Sequence, residues 1–189
     1  SARARPDSGV ETTSAVVVLN CGGVVRFQNC QFLSGLSIVN CADVRLANCL
    51  VRGRPAAPGF TSGNRALWIS DSGVVLDHTR VLGSNGLNGA IMIGSPVPPG
   101  RGGEGMSVTN STVLLCGCDV ESGAGGSGMS GTCGSANPPQ AGAPSGDALI
   151  VVDTSSSVSL LETRPIVLSP GSGGFGLPSG LCTQPNGGG

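Results

Sequence analysis

The sequence predicts an all-β fold, a parallel β-helix (solenoid) of about five coils, from three observations. A strand-like motif recurs along the chain, with its clearest copies at 25–32, 44–53 and 74–83. A second motif, a short apolar strand that ends in Asn or Asp, precedes each copy. The chain also has 33 Gly and 13 Pro, and no long window keeps helical periodicity without one of these breakers.

The apolar strand that opens each unit is expected to end in a tight corner. Asn and Asp tolerate left-handed backbone and bond to their own backbone, which places them at turns. The residue that follows is Cys, Ser or Thr, which is small enough to point inward. The turn positions are Asn20, Asn40, Asp71, Asn110 and Asp153, and the corner positions are Cys21, Cys41, Ser72, Ser111 and Thr154.

The strand that follows alternates apolar and variable residues, as expected for a strand with one buried face. It leads to a second turn at Asn29, Asn48 and His78, and to a second corner at Cys30, Cys49, Thr79, Cys118 and Thr163. The inward positions of the two strands are predicted to include Val25, Phe27, Ile38, Val44, Leu46, Ile69, Leu76, Val108, Val113, Leu115, Ile150, Val158 and Leu160.

The later units are longer, and their extra residues always follow the second strand. The insertions are 54–65, 84–105 and 123–147. They are rich in Gly, Pro and Ser, which predicts surface loops on one side of the helix, with a short strand at 90–93. We expect the β-helix to span 15–168, between a polar N-terminal segment, 1–14, and a Gly-rich C-terminal tail, 169–189.

The units resemble the right-handed parallel β-helix repeats of the pectate-lyase-like superfamily, with stacked inward aliphatic residues and Asn at the turns. The resemblance covers about residues 15–165 and implies a right-handed fold. It does not imply an activity. Members that cleave polysaccharides carry clustered carboxylates with Arg or Lys, or paired Asp residues with Gly-His-Gly and Arg-x-Lys. None of these motifs occurs, and the chain has no lysine.

The composition argues against several classes of partner. The formal net charge is −1, so no electrostatic attraction to nucleic acid or acidic lipid is expected. No run of eighteen apolar residues occurs, so no membrane span is predicted. His78 is the sole histidine and no cysteine pair has the spacing of a zinc site, so we predict no metal and no cofactor.

The eight cysteines fall into two groups. Five occupy corner positions that Ser and Thr fill in other units, which indicates small inward side chains that pack as buried thiols. The other three are Cys116, which should face outward, Cys133 in the longest insertion and Cys182 in the tail. At least one disulfide is predicted among these three, which would staple a loop and favour an extracellular or cell-surface location.

Other polar residues have either a structural or a binding interpretation. Asp71 and Asp153 are interpreted as parts of a turn ladder. Asp77 is not expected to orient His78, since adjacent strand residues point to opposite faces. Arg26 and Arg45 align on neighbouring coils with Arg80 nearby, which suggests either a solvated surface or a contact with an anionic glycan. The predicted carbohydrate contacts are Arg26, Arg45, Arg80 and Trp68.

Together these patterns favour a non-catalytic extracellular structural β-helix, such as a stalk, fibre or adhesin subunit. We expect it to associate end to end or to belong to a longer parent chain, because the strand edges at each end of a β-helix promote further pairing. No catalytic residue is assigned. The alternatives are a polysaccharide-active lyase or hydrolase, or a remnant of one, and a glycan-binding module that uses the loop face.

Overall fold

The computed structural model describes residues 11–12, 14–57, 61–92, 95–128, 141–161, 167–169 and 171–174. These residues form eighteen strands and no helix. The strands are β1 (Glu11–Thr12), β2 (Val16–Leu19), β3 (Val24–Gln28), β4 (Gln31–Phe32), β5 (Leu36–Val39), β6 (Asp43–Ala47), β7 (Leu50–Arg52), β8 (Leu67–Ser70), β9 (Gly73–Asp77), β10 (Arg80–Leu82), β11 (Ala90–Met92), β12 (Ser95–Val97), β13 (Met106–Thr109), β14 (Thr112–Cys116), β15 (Asp119–Glu121), β16 (Leu149–Val151), β17 (Ser157–Leu161) and β18 (Val167–Ser169).

The strands build three parallel sheets. The first sheet has the order β2-β5-β8-β13-β16, the second β3-β6-β9-β14-β17, and the third β1-β4-β7-β10-β15-β18. The chain passes from the first to the second to the third sheet and then returns to the first. This order is consistent with a parallel β-solenoid. The exception is β11–β12, an antiparallel pair at the predicted short strand.

Equivalent residues of successive repeats lie side by side, and this register creates the core. Leu46, for example, pairs with Phe27 on one side and with Leu76 on the other. The predicted inward residues of the middle repeats are all buried: Ile38, Val44, Leu46, Ile69, Leu76, Val108, Val113 and Leu115. The third sheet contributes a buried row that the sequence did not single out, Phe32, Val51, Val81 and Val120.

Left-handed backbone at the turns bends the chain from one sheet to the next. Asn and Asp adopt this region more easily than most residues, because their short polar side chains bond locally. Seven of the eight predicted turn residues confirm the rule with positive φ angles: Asn20 (54°), Asn40 (52°), Asp71 (51°), Asn110 (45°), Asn29 (54°), Asn48 (52°) and His78 (46°). The eighth, Asp153, does not have a positive φ. Gly117 takes the equivalent place in the fourth unit, with φ 57°.

The corner residues supply hydrogen-bond acceptors as well as small side chains. The backbone N–H of Cys41 donates to Ser72 Oγ at 2.9 Å, and the N–H of Ser72 donates to Ser111 Oγ at 3.0 Å. In the second corner row the N–H of Cys49 donates to Thr79 Oγ1 at 3.3 Å. The corner amides of Cys41, Cys49 and Ser72 are therefore satisfied by the equivalent side chains of the next repeat.

The last described repeat departs from the predicted alignment. Ser156, and not Thr154, accepts the N–H of Ser111 at 3.2 Å. The turn is longer because Asp153 binds the N–H groups of Ser155 and Ser156, each at 2.8 Å. Ser157 then pairs with Thr112, so Ser156 takes the corner position next to Ser111. Thr163, predicted for the second corner row, lies outside the described residues.

One inward prediction in this repeat was wrong. Ile150 pairs with Ser107 and thus lies in an outward row, whereas Val151 pairs with the buried Val108. A shift of one residue moves a side chain to the opposite face of a strand. Leu160 has the predicted register but is half-exposed, because β17 is the outermost strand of its sheet.

The insertions all connect the third sheet to the first, and their described parts are packed segments rather than separate loops. The chain leaves the third sheet along outward segments and comes back along returning segments. We call this set the glycine bundle. Its outward segments are 53–57, 83–89, 122–128 and 171–174, and its returning segments are 61–66, 98–105 and 141–148.

Backbone hydrogen bonds join the bundle with a period of three residues. The N–H groups of Gly83, Gly86 and Gly89 donate to the carbonyl groups of Glu121, Ala124 and Ser127, at 2.8, 2.9 and 2.9 Å. The next positions in the same segment bond to returning segments instead, as Ser84 does to Asn64 at 3.1 Å and Leu87 to Thr61 at 2.7 Å. Three residues per turn is the repeat of the polyproline II helix, which has no internal hydrogen bonds.

Glycine permits the close approach of these segments. A Cβ atom at Gly123 would overlap the carbonyl oxygen of Ser84, and one at Gly86 would overlap that of Gly100. Gly123 is itself bonded on two sides, to Gly103 at 2.8 Å and to Gly146 at 3.1 Å. The glycine content therefore reflects backbone packing between segments that are far apart in sequence.

Replacing Ser72 with Ala should destabilise the protein by about 1–3 kcal/mol, because the buried N–H of Cys41 loses its acceptor. Ser72→Cys is the matched control, since a thiol already fills this place at Cys41 and accepts weakly. Its loss in the free energy of unfolding, measured by chemical denaturation, should be smaller. Equal stability of Ser72→Ala and the parent protein would contradict the role of the corner side chains.

Replacing Gly123 with Ala should cost about 1–3 kcal/mol or more, because the added methyl group forces the bundle apart. Gly23→Ala is the control, since a Cβ there meets no atom within 4 Å. That change should be neutral or slightly stabilising. Thermal unfolding of both variants tests the packing, and an unchanged midpoint for Gly123→Ala would show that the bundle adds nothing to stability.

Candidate functional site

The four predicted carbohydrate-contact residues lie on three different sheets. Arg26 on β3 and Arg45 on β6 are direct neighbours on the second sheet. Arg80 on β10 belongs to the third sheet, and Trp68 on β8 belongs to the first. The structure therefore brings only the first two together, and the next residue in their row is Val75 rather than a basic residue.

On the second sheet, Arg45 is occupied by a neighbouring carboxylate. Its Nε and Nη2 atoms donate to Asp43 at 2.9 and 2.7 Å. The hydrogen bonds from Arg45 lower the pKa of the Asp43 carboxyl, and the charge of Arg26 lowers it further. Arg26 forms no ion pair with a described residue closer than 4 Å. Of the two aligned arginines in the predicted basic stripe, Arg45 is thus in an ion pair and Arg26 is in none with a described residue.

On the third sheet, Arg80 lies among carboxylates. Its guanidinium is 3.5 Å from Asp119 and 3.3 Å from Glu121, both on the adjacent strand β15. Glu121 and Arg52 also line a groove of about 470 Å³ against the glycine bundle. All of these side chains are partly solvated, so the ion pairs stabilise the fold only weakly. The cluster is a surface of mixed charge.

The Asp77–His78 pair differs from the prediction. His78 Nδ1 lies 2.6 Å from Asp77 Oδ1, so the carboxylate does orient the imidazole. The left-handed backbone of His78 breaks the strand alternation and lets the two side chains meet. Cys116 pairs with Asp77 in register, but burial and the charge of Asp77 both raise the pKa of its thiol. The thiolate is the nucleophilic form of cysteine, and a raised pKa reduces its population. The environment of Cys116 therefore does not activate the thiol.

Six of the eight cysteines are described, and they test part of the predicted cysteine arrangement. Cys21, Cys30, Cys41, Cys49, Cys116 and Cys118 are free thiols, and four of the five corner cysteines are buried. Burial raises the pKa of Cys49 to about 11, and the thiol of Cys118 shifts in the same direction for the same reason. Because Cys116 is a free thiol, it does not form the predicted disulfide in this structure. Cys133 and Cys182 lie outside the described residues, and a bond between them stays a prediction.

The first turn row is a hydrogen-bonded ladder of side chains. Asn40 Nδ2 donates to Asn20 Oδ1 at 2.8 Å, and Asn110 Nδ2 donates to Asp71 Oδ1 at 2.6 Å. Asp153 accepts the N–H of Asn110 at 2.6 Å, and its hydroxyl and amide donors hold the pKa of its carboxyl well below the usual range. The carboxylates thus serve the turns, as the sequence predicted.

Trp68 lies in a groove that the sequence did not anticipate. The indole is 40% exposed on the outer face of the first sheet. The groove has a volume of about 400 Å³, and Arg54, Asn64 and Arg65 border it together with Ser34 and Ser37. The basic and amide side chains come from the insertion 54–65. They were missed because an insertion without apolar periodicity gives no register from which to place its side chains.

The described residues contain no cluster of three or more His, Cys, Asp or Glu side chains that could hold a metal ion. Nor does this part of the chain contain a helix that is long and apolar enough to cross a membrane. No protein-family model matches the chain, and neither a curated protein nor a solved structure matches it.

Proposed function

We propose that this chain is a non-catalytic structural segment of a right-handed parallel β-helix of about five coils, with the architecture of the pectate-lyase-like superfamily. We further propose that it acts outside the cell and stacks end to end with a second copy. The observation that carries the proposal is an uncovered apolar surface where the described stack ends, at β16, β17 and β18.

Each of the three sheets contributes one inward residue to this surface. They are Val151, Leu160 and Leu168, and all are roughly half-exposed. Their register partners in the preceding repeat are Val108, Leu115 and Val120, and each of these is fully buried. The difference arises because a further coil covers the partners, whereas no described strand pairs with the outer edges of β16, β17 and β18. Another coil placed here would bury the row and pair the free strand edges.

The opposite end of the stack offers a matching surface. On the second sheet, β3 is the outermost strand at that end and has five residues, as β17 does. Val25 and Phe27 on β3 are half-buried, whereas their partners Val44 and Leu46 are buried. In a head-to-tail contact, β17 of one copy would pair with β3 of the next. Such a contact is heterologous and yields a filament unless the rotation closes a ring.

The chemistry of the outer surface supports a structural role. Arg45, Arg80 and Asp153 are engaged with neighbouring side chains, and the pKa of Cys116 is raised rather than lowered. The location outside the cell rests on the sequence positions of Cys133 and Cys182, in the longest insertion and the tail. Non-reducing mass spectrometry that found both thiols free would remove that support.

Replacing Leu160 with Asp should abolish self-association, because stacking would bury a carboxylate without a partner. Leu161→Asp is the matched control: Leu161 is 53% exposed and Leu160 is 50% exposed, but Leu161 lies in the outward row with Cys116. Sedimentation velocity over a range of concentrations should show assembly of the parent protein and of Leu161→Asp. Leu160→Asp should sediment as a monomer.

Two outcomes would contradict the proposal. One is a parent protein that stays monomeric at the highest concentration tested. The other is loss of assembly in both variants alike, since the contact would then not depend on the inward row.

A further inference from the structure

We propose that the groove at Trp68 binds a saccharide that carries a carboxylate group. The sugar ring would stack on the indole of Trp68, and the guanidinium of Arg54 would bind the carboxylate. This site lies on the side of the solenoid and not at its ends, so it does not depend on end-to-end stacking. It also regroups the predicted contacts, because Trp68 is retained whereas Arg26, Arg45 and Arg80 lie on other sheets.

The position of Trp68 in its sheet leaves the indole partly exposed to the groove. Its register neighbours on the two adjacent strands are Ser37 and Ser107. Both have small side chains, and the indole is 40% exposed. A flat aromatic face beside hydroxyl groups suits a ligand that has an apolar face and polar edges, as a pyranose ring does.

The floor and one wall of the groove are fixed by backbone hydrogen bonds. Gly35 donates its N–H to Arg52 at 2.8 Å, and Leu36 donates to Ala66 at 2.9 Å. Gly35 has φ 93°, a conformation that other residues rarely adopt. The carbonyl groups of Arg65 and Ala66 lie beside Gly35, at van der Waals distance from the place of a Cβ atom. The groove therefore exists before any ligand binds, which reduces the entropy lost on binding.

The two arginines at the groove differ in their freedom. Arg65 Nε donates to Glu104 Oε2 at 2.6 Å, so its charge is already matched. Arg54 is exposed and forms no ion pair with a described residue. Its backbone is nevertheless anchored, because its carbonyl accepts from Asn64 Nδ2 at 2.9 Å and from Ser84 Oγ at 2.7 Å. A guanidinium on a fixed backbone is a geometry that favours a carboxylate ligand.

The volume and the charge of the groove define the ligand class. A volume of about 400 Å³ is enough for one or two sugar rings and falls at the lower end of small-ligand sites. One unmatched cation fits one carboxylate. A nucleic acid is disfavoured, since a single aromatic side chain and one free arginine offer neither a row of stacking platforms nor a basic track.

Intrinsic fluorescence reports on this groove alone, because Trp68 is the only tryptophan and the chain has no tyrosine. The probes are sialyllactose and a hyaluronan tetrasaccharide, which carry carboxylates, and lactose, which lacks the sialic acid residue of sialyllactose and with it the carboxylate. We expect a saturable change in Trp68 emission with the acidic probes. Lactose should bind at least about tenfold more weakly, because it offers no carboxylate to Arg54.

Arg54→Gln should weaken binding of the acidic probe by about tenfold or more while the far-ultraviolet circular dichroism stays unchanged. Arg54→Lys should recover part of the affinity, since it keeps the charge but not the planar fork. Arg26→Gln, an exposed arginine on another sheet, is the matched control and should bind as the parent does. The proposal is overturned if neither acidic probe changes the emission, if lactose binds as tightly as sialyllactose, or if Arg54→Gln and Arg26→Gln have equal effects.

Discussion

Backbone hydrogen bonding between equivalent residues of successive repeats is the constraint on which the rest of this structure depends. A parallel sheet places such residues side by side, so each side chain must pack against the equivalent side chains of the neighbouring repeats. Leu46 between Phe27 and Leu76 shows the rule for the core. Ser72 shows it for the corners, where its hydroxyl serves the amide of Cys41 and its own amide uses the next hydroxyl. The sequence repeats because equivalent positions of successive coils make the same hydrogen bonds and contacts.

The glycine bundle extends the same constraint beyond the sheets. Once Glu121 and Leu82 are fixed at the ends of their strands, the segments that leave them start in register. Backbone bonds then continue at every third residue, as at Gly83, Gly86 and Gly89. Segments this close leave no room for side chains between them, so glycine is required wherever a Cβ atom would point at a neighbouring segment. The insertions are therefore an extension of the solenoid, and they form one wall of the groove at Trp68.

The parts of the fold that the sequence predicted are those with a local signal. Alternation of apolar residues located the buried rows of the middle repeats, and Asn or Asp located the turns, because both depend on neighbours within a few residues. Thr154 was misaligned because the turn at Asp153 is longer than in the other repeats. The Asp153 carboxylate lengthens it by accepting two backbone N–H groups, and this does not change the apolar periodicity of the sequence. The row of Ile150 was misplaced by a single residue, which reverses the face of a strand.

The packing of the insertions and the composition of the surface sites could not be predicted, since both depend on contacts between distant residues. Gly83 bonds to a segment nearly forty residues away through backbone atoms alone. Since every residue type has the same backbone groups, the sequence does not show which segments are joined in this way. Likewise Arg54 and Trp68 share a groove only because the insertion turns back over the first sheet. Arg80 and Arg26 looked close in the repeat alignment, yet they lie on different sheets. Charge patterns show which residues face outward but not which of them meet.

Amide hydrogen exchange in the glycine bundle, resolved by residue with NMR, tests the central claim most directly. If backbone bonds hold the outward and returning segments together, the N–H groups of Gly83, Gly86 and Gly123 should exchange as slowly as those of strands β9 and β14. Exchange of these glycine amides at the rate of an unstructured peptide, alongside protected strands, would contradict it and show that the insertions are ordinary loops.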